Sequence, residues 1–170
     1  MVATIWTLGH STRPLDEFVA LLRIHGVQAV ADVRRFPGSR RHPQFGQAVL
    51  RAALADHGLE YRWFEALGGR RTPAANSANA AWRNRAFRGY ADYMATVEFA
   101  AALAALIEFA EVLRTAIVCA EAMWWRCHRA LIADALCARG IEVIHILDAR
   151  HSVTHPLTQP AQIVQGELKY

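Results

Sequence analysis

The sequence predicts an α/β protein: a three-layer fold with a mostly parallel, doubly wound sheet flanked by helices. Two observations predict it. Short β-favouring runs alternate with stretches whose apolar residues recur at helical spacing, and each intervening stretch is long enough for the crossover that parallel strands require.

Residues 3–8 are the first β-favouring run and end at Gly9-His10-Ser11-Thr12. Residues 14–25 then place Leu15, Phe18, Leu21 and Leu22 on one helical face before Gly26, with Ser11 or Thr12 expected as the cap. A second strand over 28–33 closes on Asp32-Val33-Arg34 and gives way to a basic, turn-rich loop through Pro37, Ser39 and Pro43. Helical spacing over 47–57 stops at Gly58, and 60–64 reads as a third strand. Gly68-Gly69-Arg70-Arg71 opens a long loop. Residues 90–114 are helical, in one or two pieces, and apolar enough to be expected deep in the core. An apolar strand over 116–119, a loop over 121–126, a helix over 127–139 and a strand over 142–147 complete the alternation. Length suits one α/β domain over residues 1–150, followed by an irregular C-terminal tail over 151–170.

Composition narrows the function classes. At 54% hydrophobic and 20% charged residues the chain is globular in balance. The longest apolar run, 99–107, is too short to cross a bilayer, so no membrane partner is expected. The start lacks the pattern of an export signal, and the three cysteines match no disulfide framework, so a cytoplasmic location is expected. The net charge of +4 is uneven: eleven arginines between Arg34 and Arg88 face only Asp56, Glu60 and Glu65. Guanidinium groups suit bidentate contact with phosphate or carboxylate, so an anionic small molecule or a nucleic acid is the expected partner.

In doubly wound sheets, ligands bind beyond the carboxyl ends of the strands, and that rule collects the loops after Gly9, Asp32 and Cys119. Their residues define the candidate site. Cys127, His128, Asp32, Glu121 and Cys119 are the catalytic candidates; Ser11, His10, Arg34, Arg129 and Ser39 are the substrate-binding ones. Cys127 and His128 stand where a strand hands over to a helix, a setting that favours anions and thiolates. Asp32 and Arg34 either divide proton handling and anion binding or form a structural pair. No pair among Cys119, Glu121, Cys127, His128 and His10 has a recognised metal-ligand spacing, so no metal and no cofactor is assigned.

Taken together, Thr7-Leu8-Gly9-His10-Ser11, Asp32-Val33-Arg34 with Pro37 and Ser39, Leu67-Gly68-Gly69, and Cys119-Ala120-Glu121 with Cys127-His128-Arg129 resemble the family of domain of unknown function 488. Phe45, Tyr61 and residues 87–94 are also similar, and the resemblance spans about residues 4–148. It implies a compact α/β domain with a shared cluster of polar loop residues, without a defined reaction. The chain departs from the pattern at Gly46 and at the bulky Trp124-Trp125 pair. The leading expectation is an enzyme, or a former one, acting on a phosphate-bearing or other anionic substrate, with Arg34 and Arg129 as clamps. The alternative is a nucleic-acid-binding or DNA-repair-associated accessory protein using the arginine-rich face. A third reading is a scaffold whose polar cluster only ties loops together.

Overall fold

The computed structural model describes residues 3–38 and 40–170. Its centre is a six-stranded sheet in which β1 (Thr4–Gly9), β2 (Ala29–Asp32), β3 (Glu60–Trp63), β4 (Thr115–Cys119) and β5 (Glu142–Ile146) run parallel, and β6 (Ser152–Thr154) joins antiparallel to β5. The order across the sheet is β3-β2-β4-β1-β5-β6. The five-residue β4 is buried along its whole length, as a strand covered on both faces must be.

Helices α1 (Leu15–Ile24) and α2 (Gln47–Asp56) cover one face through Phe18, Leu22, Leu50 and Leu54. The other face carries α3 (Arg85–Tyr93), α4 (Val97–Val112) and α5 (Arg129–Ala138). Complete burial of Leu131, Ile132 and Leu136 on α5 contributes about 1.5–3 kcal/mol each. The chain leaves β1 over one face and β4 over the other. Their loops therefore diverge, opening the crevice that doubly wound folds use for ligands.

Three expectations change. The long apolar stretch forms in two pieces, as the sequence allowed, capped by Asn84 and Thr96, but it is not deep in the core: α4 buries only Phe99, Leu103 and Leu106, with Val97 and Val112 about 80% exposed. Its alanines make it apolar in composition without a partner layer outside it. No side chain caps α1, because the helix begins only after Pro14, beyond the reach of Ser11 and Thr12. The tail, expected to be irregular, carries β6 and a hairpin of β7 (Gln162–Val164) and β8 (Glu167–Lys169), turned by Gln165 and Gly166 with positive φ.

Candidate functional site

Three loops meet at the carboxyl edge of β1, β4 and β2. Gly9 lies opposite Cys119, and Asp32 opposite Val118. The pairing continues past the strands, His10 N–H donating to the Cys119 carbonyl at 2.8 Å and Ser11 N–H to that of Ala120 at 2.9 Å. Gly9 permits this approach: a Cβ there would stand 1.9 Å from the carbonyl oxygen of Glu121. Ser11 holds φ of 49°, a conformation that side-chain-bearing residues seldom adopt outside constrained sites.

Asp32 and Arg34 pair bidentately, Nε to Oδ1 at 2.9 Å and Nη2 to Oδ2 at 2.7 Å, while Nη1 donates to the Phe45 carbonyl at 2.7 Å. Tyr61 adds a hydroxyl bond to Asp32 Oδ2 at 2.6 Å. Burial opposes the Arg34 charge, and its bonds to Asp32 outweigh burial and raise its pKa. Burial beside the Asp32 carboxylate raises the Tyr61 phenol. Asp32 is thus fully occupied in positioning Arg34, which in turn reaches a cavity of about 610 Å³. His10, Ser11, Arg40, Arg41, Arg70 and Glu121 also line it. His10 stacks on Phe45, and its Nδ1 lies 2.9 Å from the Ser11 carbonyl, which can only accept. Nδ1 therefore carries the proton in a neutral ring, leaving Nε2 a buried acceptor without a partner among the described residues. Burial pushes this histidine down to about 4.

Next to that cavity lie two smaller ones, of about 160 and 230 Å³, which share Gly69, Arg70, Cys119, Ala120 and His128 in their walls. Arg70 lines all three cavities and holds φ of 59°. At their floor Cys119 Sγ, Cys127 Sγ and one His128 ring nitrogen lie within 4.8 Å of one another. His128 Nε2 is 3.0 Å from the Val33 carbonyl and Nδ1 is 3.5 Å from Cys127 Sγ, which also accepts the Arg129 backbone N–H at 3.5 Å. Burial would raise the Cys127 thiol, but bonding to Cys119 and the proximity of His128 and Arg129 hold it well below the usual range. Cys119, bonded to Cys127 and buried, is pushed up instead.

Arg129 does something else. It is buried to 1% exposure, with Nη1 donating to Thr7 Oγ1 at 3.1 Å and Nη2 to the Glu121 carbonyl at 2.5 Å. It lines none of these three cavities, so its charge braces the 121–122 turn from inside rather than clamping a ligand. The contacts continue from Thr7 Oγ1 to His145 Nδ1 at 2.6 Å, His145 Nε2 to His155 Nδ1 at 2.9 Å, and His155 Nε2 to Asp134 Oδ1 at 2.8 Å. A carboxylate only accepts and a guanidinium only donates. With both rings neutral, every donation therefore runs from Arg129 toward Asp134. Burial, then the neighbouring His155, pushes His145 down to about 3. Thr158 and Tyr170 also donate to Asp134, anchoring the tail.

Of the residues singled out in the sequence, His10, Ser11, Arg34, Glu121, Cys119, Cys127 and His128 line these joined cavities. Asp32 and Arg129 stand behind them, and Ser39 lies outside the described residues. Arg70 was not singled out. Its signal was the Gly68-Gly69 pair, whose lack of Cβ atoms lets the loop close on Arg35 and on His128, 2.9 Å from where a Gly69 Cβ would stand.

A three-layer α/β domain with a polar cluster where β1 and β4 part is the class that the fold and site define. Within that class the chain belongs to the family of domain of unknown function 488 (DUF488), whose family model matches residues 14–136. No curated protein and no solved structure matches it.

Proposed function

We propose that this chain is an enzyme acting on a phosphate-bearing substrate, held by the arginine-lined cavity and presented to the Cys119–Cys127–His128 cluster. The observation that carries the reading is the shared wall: Arg70 borders both the large cavity and the sulfur-lined one. Arg34 is fixed by Asp32, so an anion meets a preset charge with little further ordering. The exposed Arg40 and Arg41 add diffuse attraction at the mouth. His10 Nε2 offers an acceptor to a hydroxyl or N–H of the same substrate.

The test is calorimetric titration with inorganic phosphate, pyrophosphate and a nucleoside monophosphate. Arg70→Ala is expected to weaken the best of these about tenfold or more, since a charge-assisted bond contributes about 1.5–3 kcal/mol. Undiminished binding in Arg70→Ala, or none by the parent protein, overturns the reading.

A further inference from the structure

Resting on that reading of the site, we infer that Cys119, Cys127 and His128 hold a single zinc-class divalent cation, with its fourth position open toward Arg70. Two buried sulfurs and an imidazole nitrogen lie within 4.8 Å of one another, a soft donor set that suits zinc. The decisive feature is the histidine. The Val33 carbonyl, 3.0 Å from Nε2, can only accept, so that nitrogen keeps the ring proton. Nδ1 then presents a lone pair to Cys127 Sγ at 3.5 Å. Both atoms then carry lone pairs aimed into the same space, which a cation can occupy in place of the thiol proton, and the outer hydrogen bond is the one that orients metal-bound imidazoles. Tetrahedral zinc, with Zn–S about 2.3 Å and Zn–N about 2.0 Å, sets such a pair about 3.5 Å apart.

Two further observations agree. The Arg129 backbone N–H on Cys127 Sγ is a second outer contact of the kind that stabilises a thiolate ligand. Gly69 leaves free the volume beside His128 Nδ1 that a Cβ would enter at 2.9 Å. The three ligands line a cavity of about 230 Å³ that Arg70 and Arg126 also border, so a fourth ligand has somewhere to stand. Three protein ligands and an open position are the pattern of catalytic rather than structural zinc, and the cation would polarise a substrate oxygen or activate a water. The ligands come from the two ends of one short loop: Cys119 ends a strand, and the Cys127-His128 pair precedes a helix.

The experiment uses the full chain. Protein prepared with zinc is dialysed and its metal measured by mass spectrometry; chelator-stripped protein is titrated with cobalt(II) while circular dichroism follows the fold. One zinc per chain and intense thiolate-to-cobalt absorption are expected. Cys119→Ser and His128→Asn should each weaken cobalt binding a hundredfold or more, and Cys137→Ser should leave it unchanged. Gly69→Ala, which keeps all three ligands, should also weaken it. Folded stripped protein that binds no cobalt, or bands that survive both ligand substitutions, overturns the inference. Phosphate titrations separate the two claims: Arg70-dependent phosphate binding by a protein that takes up neither zinc nor cobalt sinks the metal site alone, whereas stoichiometric zinc without phosphate binding sinks the proposed function alone.

Discussion

Two arginine settings lie close together at this sheet edge, and they are used in opposite ways. Arg34 is held by Asp32 and faces the large cavity, whereas Arg129 is sealed inside and linked by hydrogen bonds through Thr7, His145 and His155 to Asp134. The first arrangement holds a guanidinium, paired with Asp32, in the wall of an open cavity. The second spends its charge on the fold, tying the turn after β4 to α5 and to the C-terminal hairpin region. The same residue type in neighbouring motifs therefore has different sensitivities: substitutions along the sealed path should change stability, and those around the cavity should change binding.

The largest expected effect is on the sealed side. Asp134→Ala leaves the relay without its carboxylate and three further donors unanswered, and should cost about 3–5 kcal/mol in chemical denaturation. Arg70→Ala, on the exposed side, should stay within about 0.5 kcal/mol of the parent. A mild Asp134→Ala would break the contrast.

Acid sharpens it. His10 and His145 are neutral in the folded chain, with values of about 4 and about 3, against 6.5 when unfolded. The unfolded chain takes up protons first, so stability is unaffected above pH 6.5 and falls as pH drops, until about 4 for His10 and about 3 for His145. The urea midpoint should already decline between pH 6.5 and 5, above the usual carboxylate range, and a flat midpoint there would contradict neutral His10 and His145 in the folded chain. Smaller still is Gly9→Ala, whose added Cβ must displace the Glu121 carbonyl, at about 1–3 kcal/mol. Because that carbonyl accepts from Arg129, the substitution should also loosen the cavity wall at Glu121.

The layered sheet was legible because its cues are local: apolar runs, helical spacing and glycine stops. So was the convergence of the loops after Gly9, Asp32 and Cys119, which follows from topology alone. What was not legible depends on contacts distant in sequence. Nothing near Arg129 says that it faces Thr7, 122 positions away, and nothing near Asp134 announces His155 or Tyr170. The tail read as irregular because its three-residue strands are too short for a periodic pattern. Arg70 was hidden among many arginines, and only its place in three cavity walls distinguishes it.

The smallest stability effect tests how far the open region's charge extends. Arg40 and Arg41 are exposed beside Arg34 at the cavity mouth, and the double substitution to Ala should leave the melting midpoint nearly unchanged. Its effect belongs to long-range attraction, so it should weaken pyrophosphate binding severalfold at low ionic strength and much less near 0.5 M salt, where screening is short-ranged. The same pair distinguishes a small anion from a nucleic acid. A strand that tracks the arginine-rich face displaces several counterions, giving a steep loss of affinity with salt that two fewer arginines make shallower by about two in logarithmic slope. Pyrophosphate, confined to one cavity, cannot show so steep a dependence. Filter binding of single-stranded and duplex DNA at two salt concentrations therefore reads the reach of this face directly: a slope that drops by two assigns it to a polymer, and no retained DNA leaves it to the cavity alone.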